Sequence, residues 1–123
     1  QLADLFSEYA ADYVGLCYDS GHGNVTGDGL DLLERWQHRL LAVHLHDNDS
    51  SGDQHQIPYE GSVNWQRLTS LLASSRYSKC VSLEVAMRNA PEGTSEQTFL
   101  QQAYTAAQRL QHAVGKAAAK RVS

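Results

Sequence analysis

Leu41-Ala-Val-His-Leu-His-Asp47 is the stretch on which the fold turns. Its first five residues are almost wholly apolar, the composition of a strand buried on both faces, and such strands belong to parallel sheets covered by helices. Its last residues are side chains of the kind that bind metals. The same unit recurs on either side: Tyr13-Val-Gly-Leu-Cys-Tyr18 runs into Asp19-Ser-Gly-His22, and Lys79-Cys-Val-Ser-Leu-Glu-Val-Ala86 carries Glu84 with Arg88 beyond. Helical patterns separate these runs. Leu2, Leu5, Phe6 and Tyr9 predict an amphipathic helix ending near Asp12, and Leu30, Leu33, Trp36, Leu40 and Leu41 a second, capped by Asp28. Asn64 caps a third through Trp65, Leu68, Leu71 and Leu72. A long last helix opens at Ser95 with Phe99, Leu100, Ala103, Tyr104, Ala107 and Leu110 on its pattern, and its tail from Gly115 to Arg121 reads as frayed. Residues 19–24 and 47–56 read as loops, the second long for a connector.

Helix and strand alternate as in parallel βαβ units. Three strands are few for a complete parallel sheet, and Gln1 opens directly in a helical pattern. The expectation is one domain, residues 1–123, forming part of a larger α/β fold whose preceding residues are absent. Three strands also leave open edges and an apolar face, so the chain is expected to associate with a second copy or with the missing half.

The 123 residues (13.6 kDa) carry a formal net charge of -4, with a sequence pI near 5.8. That balance makes nucleic acid an improbable partner, because affinity for a phosphate backbone comes from Lys and Arg. No apolar run approaches the roughly 20 residues of a membrane helix, and no basic-then-apolar leader precedes the first helix. Cys17 and Cys80 lie inside apolar runs without CxxC spacing, so neither a disulfide framework nor a zinc knuckle is expected, and a reducing cytoplasm is the default compartment.

The carboxyl ends of parallel strands point one way, so their polar residues converge on one rim. Here those residues are Asp19 and His22, then His44, His46, Asp47, Asp49, Asp53 and His55, then Glu84 and Arg88. Carboxylate oxygens and imidazole nitrogens suit a divalent cation such as Mn, Zn, Mg or Co. Asp19 also fits a helix cap, and Asp53-Gln-His55 also fits a solvated loop. His44 and His46 alternate, so they point to opposite faces and one of them is structural. Glu84, inside an apolar run, is expected to be almost fully buried, which demands pairing, protonation or a metal.

Asp19-Ser-Gly-His22, Val43-His-Leu-His-Asp-Asn48 with Asp53-Gln-His55 and Gly61-Ser-Val-Asn-Trp65, and Ser82-Leu-Glu-Val85 together resemble the last three strands of the xylose isomerase-like TIM barrels, a superfamily of sugar-phosphate isomerases and epimerases and of AP endonucleases. The resemblance implies the C-terminal portion of a (β/α)8 barrel, about strands six to eight. It implies Asp19, His44 and Glu84 as metal ligands, with His46 the alternative to His44. Glu84 also exchanges a proton with substrate, and His22 contacts substrate or a further metal. Asp53 and His55 match the pair that holds another metal in the endonuclease branch, and a fifth-strand glutamate ligand has no counterpart here. His46 and Arg88 remain substrate-side candidates. The implied activity is divalent-metal-dependent isomerisation or epimerisation of a small sugar, sugar phosphate or polyol by proton transfer beside a carbonyl. The alternatives are a metal-dependent phosphodiesterase and an inactive, self-associating half-barrel.

Overall fold

A computed structural model describes residues 1–122. Two strands, β1 (Leu16–Asp19) and β2 (Leu40–His44), pair in parallel with Asp19 opposite His44. Five helices accompany them: α1 (Leu2–Glu8), α2 (Ser20–Thr26), α3 (Gly29–Trp36), α4 (Trp65–Ser74) and α5 (Glu96–Val122). Short 3-10 turns occupy Gln37–Arg39 and Met87–Asn89.

Alternation along the strands decides what they bury. Leu16 and Tyr18 of β1, with Val43 of β2 and Leu45 just beyond it, enter a core shared with Leu33, Leu68, Leu72 and Leu110. Cys17 and His44 are exposed on the other side, so the open face is more polar than the apolar one expected. Phe99, Ala103 and Ala106 of α5 form a second cluster with Ile57. Arg39 fastens α1 and the segment after it, donating to the carbonyls of Phe6, Tyr9 and Val14.

Several expected elements differ. The third run, 79–86, is extended but meets β2's end at a single parallel bridge, Leu45 to Leu83, and not as a full strand. Its backbone is paired there through Leu45 N to Ser82 O (2.9 Å) and Glu84 N to Leu45 O (3.0 Å). The expected loop 19–24 is largely helix α2, because Asp19 caps it by accepting from His22 N at 2.9 Å. Helix α1 stops at Glu8 and not near Asp12, and α5 continues through its alanine-rich tail to Val122 where fraying was expected. Asn64 caps α4 as read, accepting from Arg67 N, whereas Asp28 occupies the cap position of α3 without a side-chain bond. Cys80, like Cys17, is exposed. No helix among the described residues is long and apolar enough to cross a membrane.

Candidate metal centre

Asp19 is the last residue of β1 and the cap of α2, so strand and helix both fix it. The parallel register sets His44 beside it, and the bridge at Leu45 brings Glu84 to His44's other side. His44 Nδ1 lies 2.9 Å from Glu84 Oε2. One ligand atom from each of Asp19, His44 and Glu84 falls within 4.8 Å of the others. A divalent cation holds oxygen and nitrogen at about 2.0–2.2 Å, so this donor set fits one after small side-chain adjustments. Glu84 is not buried as expected: its side chain is 48% exposed, because the extended run pairs on β2's side only and its carboxylate emerges on the open face.

A second group adjoins the first. His46, Asp53 and His55 also offer ligand atoms within 4.8 Å of one another. His55 Nε2 lies 3.0 Å from Asp53 Oδ2, and His55 Nδ1 lies 2.7 Å from the Glu84 carbonyl oxygen. Both acceptors lack hydrogens, so in this arrangement both ring nitrogens donate and the ring is an imidazolium. The Glu84 carbonyl foremost, and Asp53 after it, raise the His55 pKa against an opposing effect of burial. Burial pushes the Asp53 carboxyl up, but hydrogen bonds and charge from His55 and His22 outweigh it and leave the group below its usual value. A cation entering here would displace protons. His55 also adopts a left-handed backbone, φ 52°, which a non-glycine residue holds only when its surroundings impose it.

His22, on α2 and 63% exposed, spans the two groups, with Nδ1 3.4 Å from Asp19 Oδ2 and Nε2 3.3 Å from Asp53 Oδ2. His46 is fully buried, its Nε2 3.0 Å from Asp19 Oδ1. His44 is exposed and His46 sealed, yet both rings lie by Asp19: His46 follows the end of β2, so the two do not part to opposite faces as strict alternation predicted. Arg88 is exposed on the Met87–Asn89 turn and takes no part in these ion pairs.

Asp47 and Asp49, grouped with the ligands by sequence, do other things. Asp47 is completely buried and accepts from four N–H groups: Asn48 N and Val63 N on Oδ1, Tyr59 N and Trp65 Nε1 on Oδ2, at 2.7–3.0 Å. It fastens the loop to α4's first residue. Asp49 turns back on Ser51 N and Oγ, out of the site. Sequence reasoning passed over Ser20, Gly21 and Asn48. Asn48, also fully buried, donates to Gly21 O and accepts from Asn24 Nδ2 and Ser50 N. At Gly61 a Cβ would stand 2.3 Å from Asn48 O and 2.4 Å from Asp47 Oδ1, so only glycine lets the loop close on this pair. The small residues Ser20-Gly21 directly after a strand-end aspartate were the available signal for a close approach. A cleft of about 610 Å³ lies elsewhere, between α4 and α5 beside Trp65 and Arg109.

A family profile described as "Xylose isomerase-like TIM barrel" matches residues 1–104. The chain is 39% identical over 116 residues to "Uncharacterized protein y4fM" of Sinorhizobium fredii, covering 94% of this chain and 37% of that protein. It is 27% identical over 86 residues to "Uncharacterized protein MJ1311" of Methanocaldococcus jannaschii, covering 68% of this chain and 29% of that one. The chain thus spans about a third of the length of the curated relatives it matches. No solved structure matches it significantly.

Proposed function

The chain belongs to the xylose isomerase-like TIM barrel family, and on that premise we propose that it supplies the metal-binding strand ends of an isomerase or epimerase acting on a small sugar, sugar phosphate or polyol. The observation that carries this reading is the convergence of Asp19, His44 and Glu84 on one open face from three separate segments. Asp19, His44 and Glu84 would hold the divalent cation, whose contribution when bound is to polarise a carbonyl and its neighbouring hydroxyl. Glu84, half exposed on that face, is placed to move a proton at the substrate carbon. His22, exposed beside Asp19, orients a substrate hydroxyl, and Arg88 serves a phosphate where the substrate carries one. The C-terminal strands of the barrel, about six to eight, are the portion proposed for residues 1–123. Further strands, from the same polypeptide or from a second copy, would cover the unpaired edge of β1.

The group at His46, Asp53 and His55 favours a second reading, a multi-metal phosphodiesterase, because a second cation there would lie beside the first. One experiment separates the two. Elemental analysis of the purified full-length protein should find one divalent cation per chain, and Glu84→Gln should lose it together with isomerase activity, by roughly 10²–10⁴-fold. Two cations per chain with phosphodiester cleavage would favour the second reading, and unchanged metal content in Glu84→Gln would overturn the ligand assignment.

A further inference from the structure

Helix α5 lies outside the metal centre, yet it holds the most uneven charge in the chain. After Glu96 it contains no Asp or Glu, whereas Arg109, Lys116, Lys120 and Arg121, four of the chain's 10 Lys and Arg, fall in its second half. In a chain of net charge -4 this is a local inversion of sign. The same four residues, with His112, line the cleft of about 610 Å³ between α5 and α4. No carboxylate lines that cleft, and its α4 wall of Gln66, Thr69 and Ser70 is neutral. Arg67 of α4 is turned away onto Asp31 and Glu34. Lys120 and Arg121 suit the C-terminal end of a helix dipole, an effect confined to the last turn, but Arg109, His112 and Lys116 lie further back. Lys116 and Lys120, four apart on one face, repel each other, and no acidic residue on either wall relieves them.

We infer that this cleft binds a small organic molecule carrying two or more phosphate groups, with Arg109 as its fixed end. The Arg109 guanidinium carbon lies 3.6 Å from the centre of the Tyr59 ring. Tyr59 is itself held: its backbone is left-handed at φ 79°, its N donates to the buried Asp47 carboxylate at 2.9 Å, and its ring leans on Trp65 with centroids 5.6 Å apart. Stacking uses a face of the guanidinium and leaves its in-plane N–H groups for the paired oxygens of a phosphate. Lys116, about two helical turns on, meets a second phosphate. The cleft also limits the ligand's length. Arg109 to Lys120 covers about 16 Å of helix axis, and beyond the Arg109–Tyr59 stack the next hollow is lined by Glu60 and no lysine. A long phosphate chain running past the stack would meet that carboxylate, whereas a molecule of nucleotide size ends before it. Both walls come from this chain, and the volume lies within the range of small-molecule sites. The inference does not depend on the metal reading, and its failure would leave that reading standing.

The test is calorimetric titration of the full-length protein with ADP, pyrophosphate and inorganic phosphate as probes. ADP and pyrophosphate should bind at one per chain, and inorganic phosphate, with a single group to offer, more weakly. Arg109→Gln and Lys116→Ala should each weaken ADP about 10–100-fold, the usual effect of losing a charge-assisted hydrogen bond, while Arg76→Ala, an exposed arginine outside the cleft, leaves it unchanged. Should Arg109→Gln fail to fold, the exposed Lys116 still decides. A parent protein that binds neither ADP nor pyrophosphate overturns the inference, as does parent-like ADP affinity in Lys116→Ala. Loss of ADP binding in Glu84→Gln with Lys116→Ala unaffected overturns it too, by placing the phosphates at the rim. A short oligothymidylate or a polyglutamate peptide that binds through Arg109 and Lys116 more tightly than ADP would overturn it by making the occupant a polymer.

Discussion

Two neighbouring regions of the rim are built on opposite terms. On the open face Asp19, His44 and Glu84 meet as a cluster in which His44 and Glu84 keep nearly half of their side-chain surface in water. Beneath them Ser20, His46, Asp47 and Asn48 are sealed completely, each tied by hydrogen bonds to segments far away in sequence. The groups on the open face are left adjustable, and the precision of their placement resides in the sealed residues beneath them. The first set should therefore tolerate substitution in folding and fail in chemistry, while the second should fail in folding.

The strongest way to break that contrast is Asp47→Ala. It leaves four N–H donors without their acceptor in a dry setting, and the expected cost is about 3–5 kcal/mol, against about 0.5 kcal/mol for an exposed residue such as His44. Urea unfolding of both variants checks it, and an Asp47→Ala variant within about 1 kcal/mol of the parent would put the rigidity somewhere else. Gly21→Ala is the next largest, about 1–3 kcal/mol by overpacking against the His46 ring, read from the same unfolding curves.

A smaller effect tests the boundary between the regions. The Asp53 carboxylate helps raise His55 above the ordinary histidine value near 6.5, and is itself held below 3.8. The raised His55 contributes stability that is complete below 6.5 and fades as pH climbs through its folded value. The lowered Asp53 contributes stability that is present above 3.8 and fades as pH falls through its folded value. The pair is thus strongest between those limits. Asp53→Asn should move the His55 pKa downward in an NMR titration while leaving part of the elevation, since the Glu84 carbonyl remains; an unmoved value would show that the carboxylate is not a partner in solution.

Much of this was legible because it was local. Asn64 announced the start of α4 by its type and place, and the spacing of Phe99, Ala103 and Leu110 announced the buried face of α5. Alternation placed Val43 inside and His44 outside, but it stops there, since Leu45 and His46 are both fully buried beyond the end of β2. What escaped was decided at a distance. Ser-Gly-His-Gly-Asn has poor helix propensity, yet α2 forms because Asp19 caps it and Asn48 holds Gly21. Asp47 looked like a ligand because the N–H groups that donate to it lie 12–18 residues onward, at Tyr59, Val63 and Trp65. Glu84 looked buried because an apolar run does not declare that only one of its edges is paired.

The Asp47 anchorage also bears on the entropy of recognition. A polar segment of this length, left free, would lose conformational freedom when a ligand settled against it, at about 0.5–1.5 kcal/mol for each immobilised side chain. Residues 47–63 are instead ordered at the moment the chain folds, their register closed by the paired backbone of Asp47 and Gln56 at 2.8–2.9 Å and by the buried carboxylate. A small ligand arriving at the rim meets a wall that is already set, so its binding enthalpy is not consumed in organising the protein.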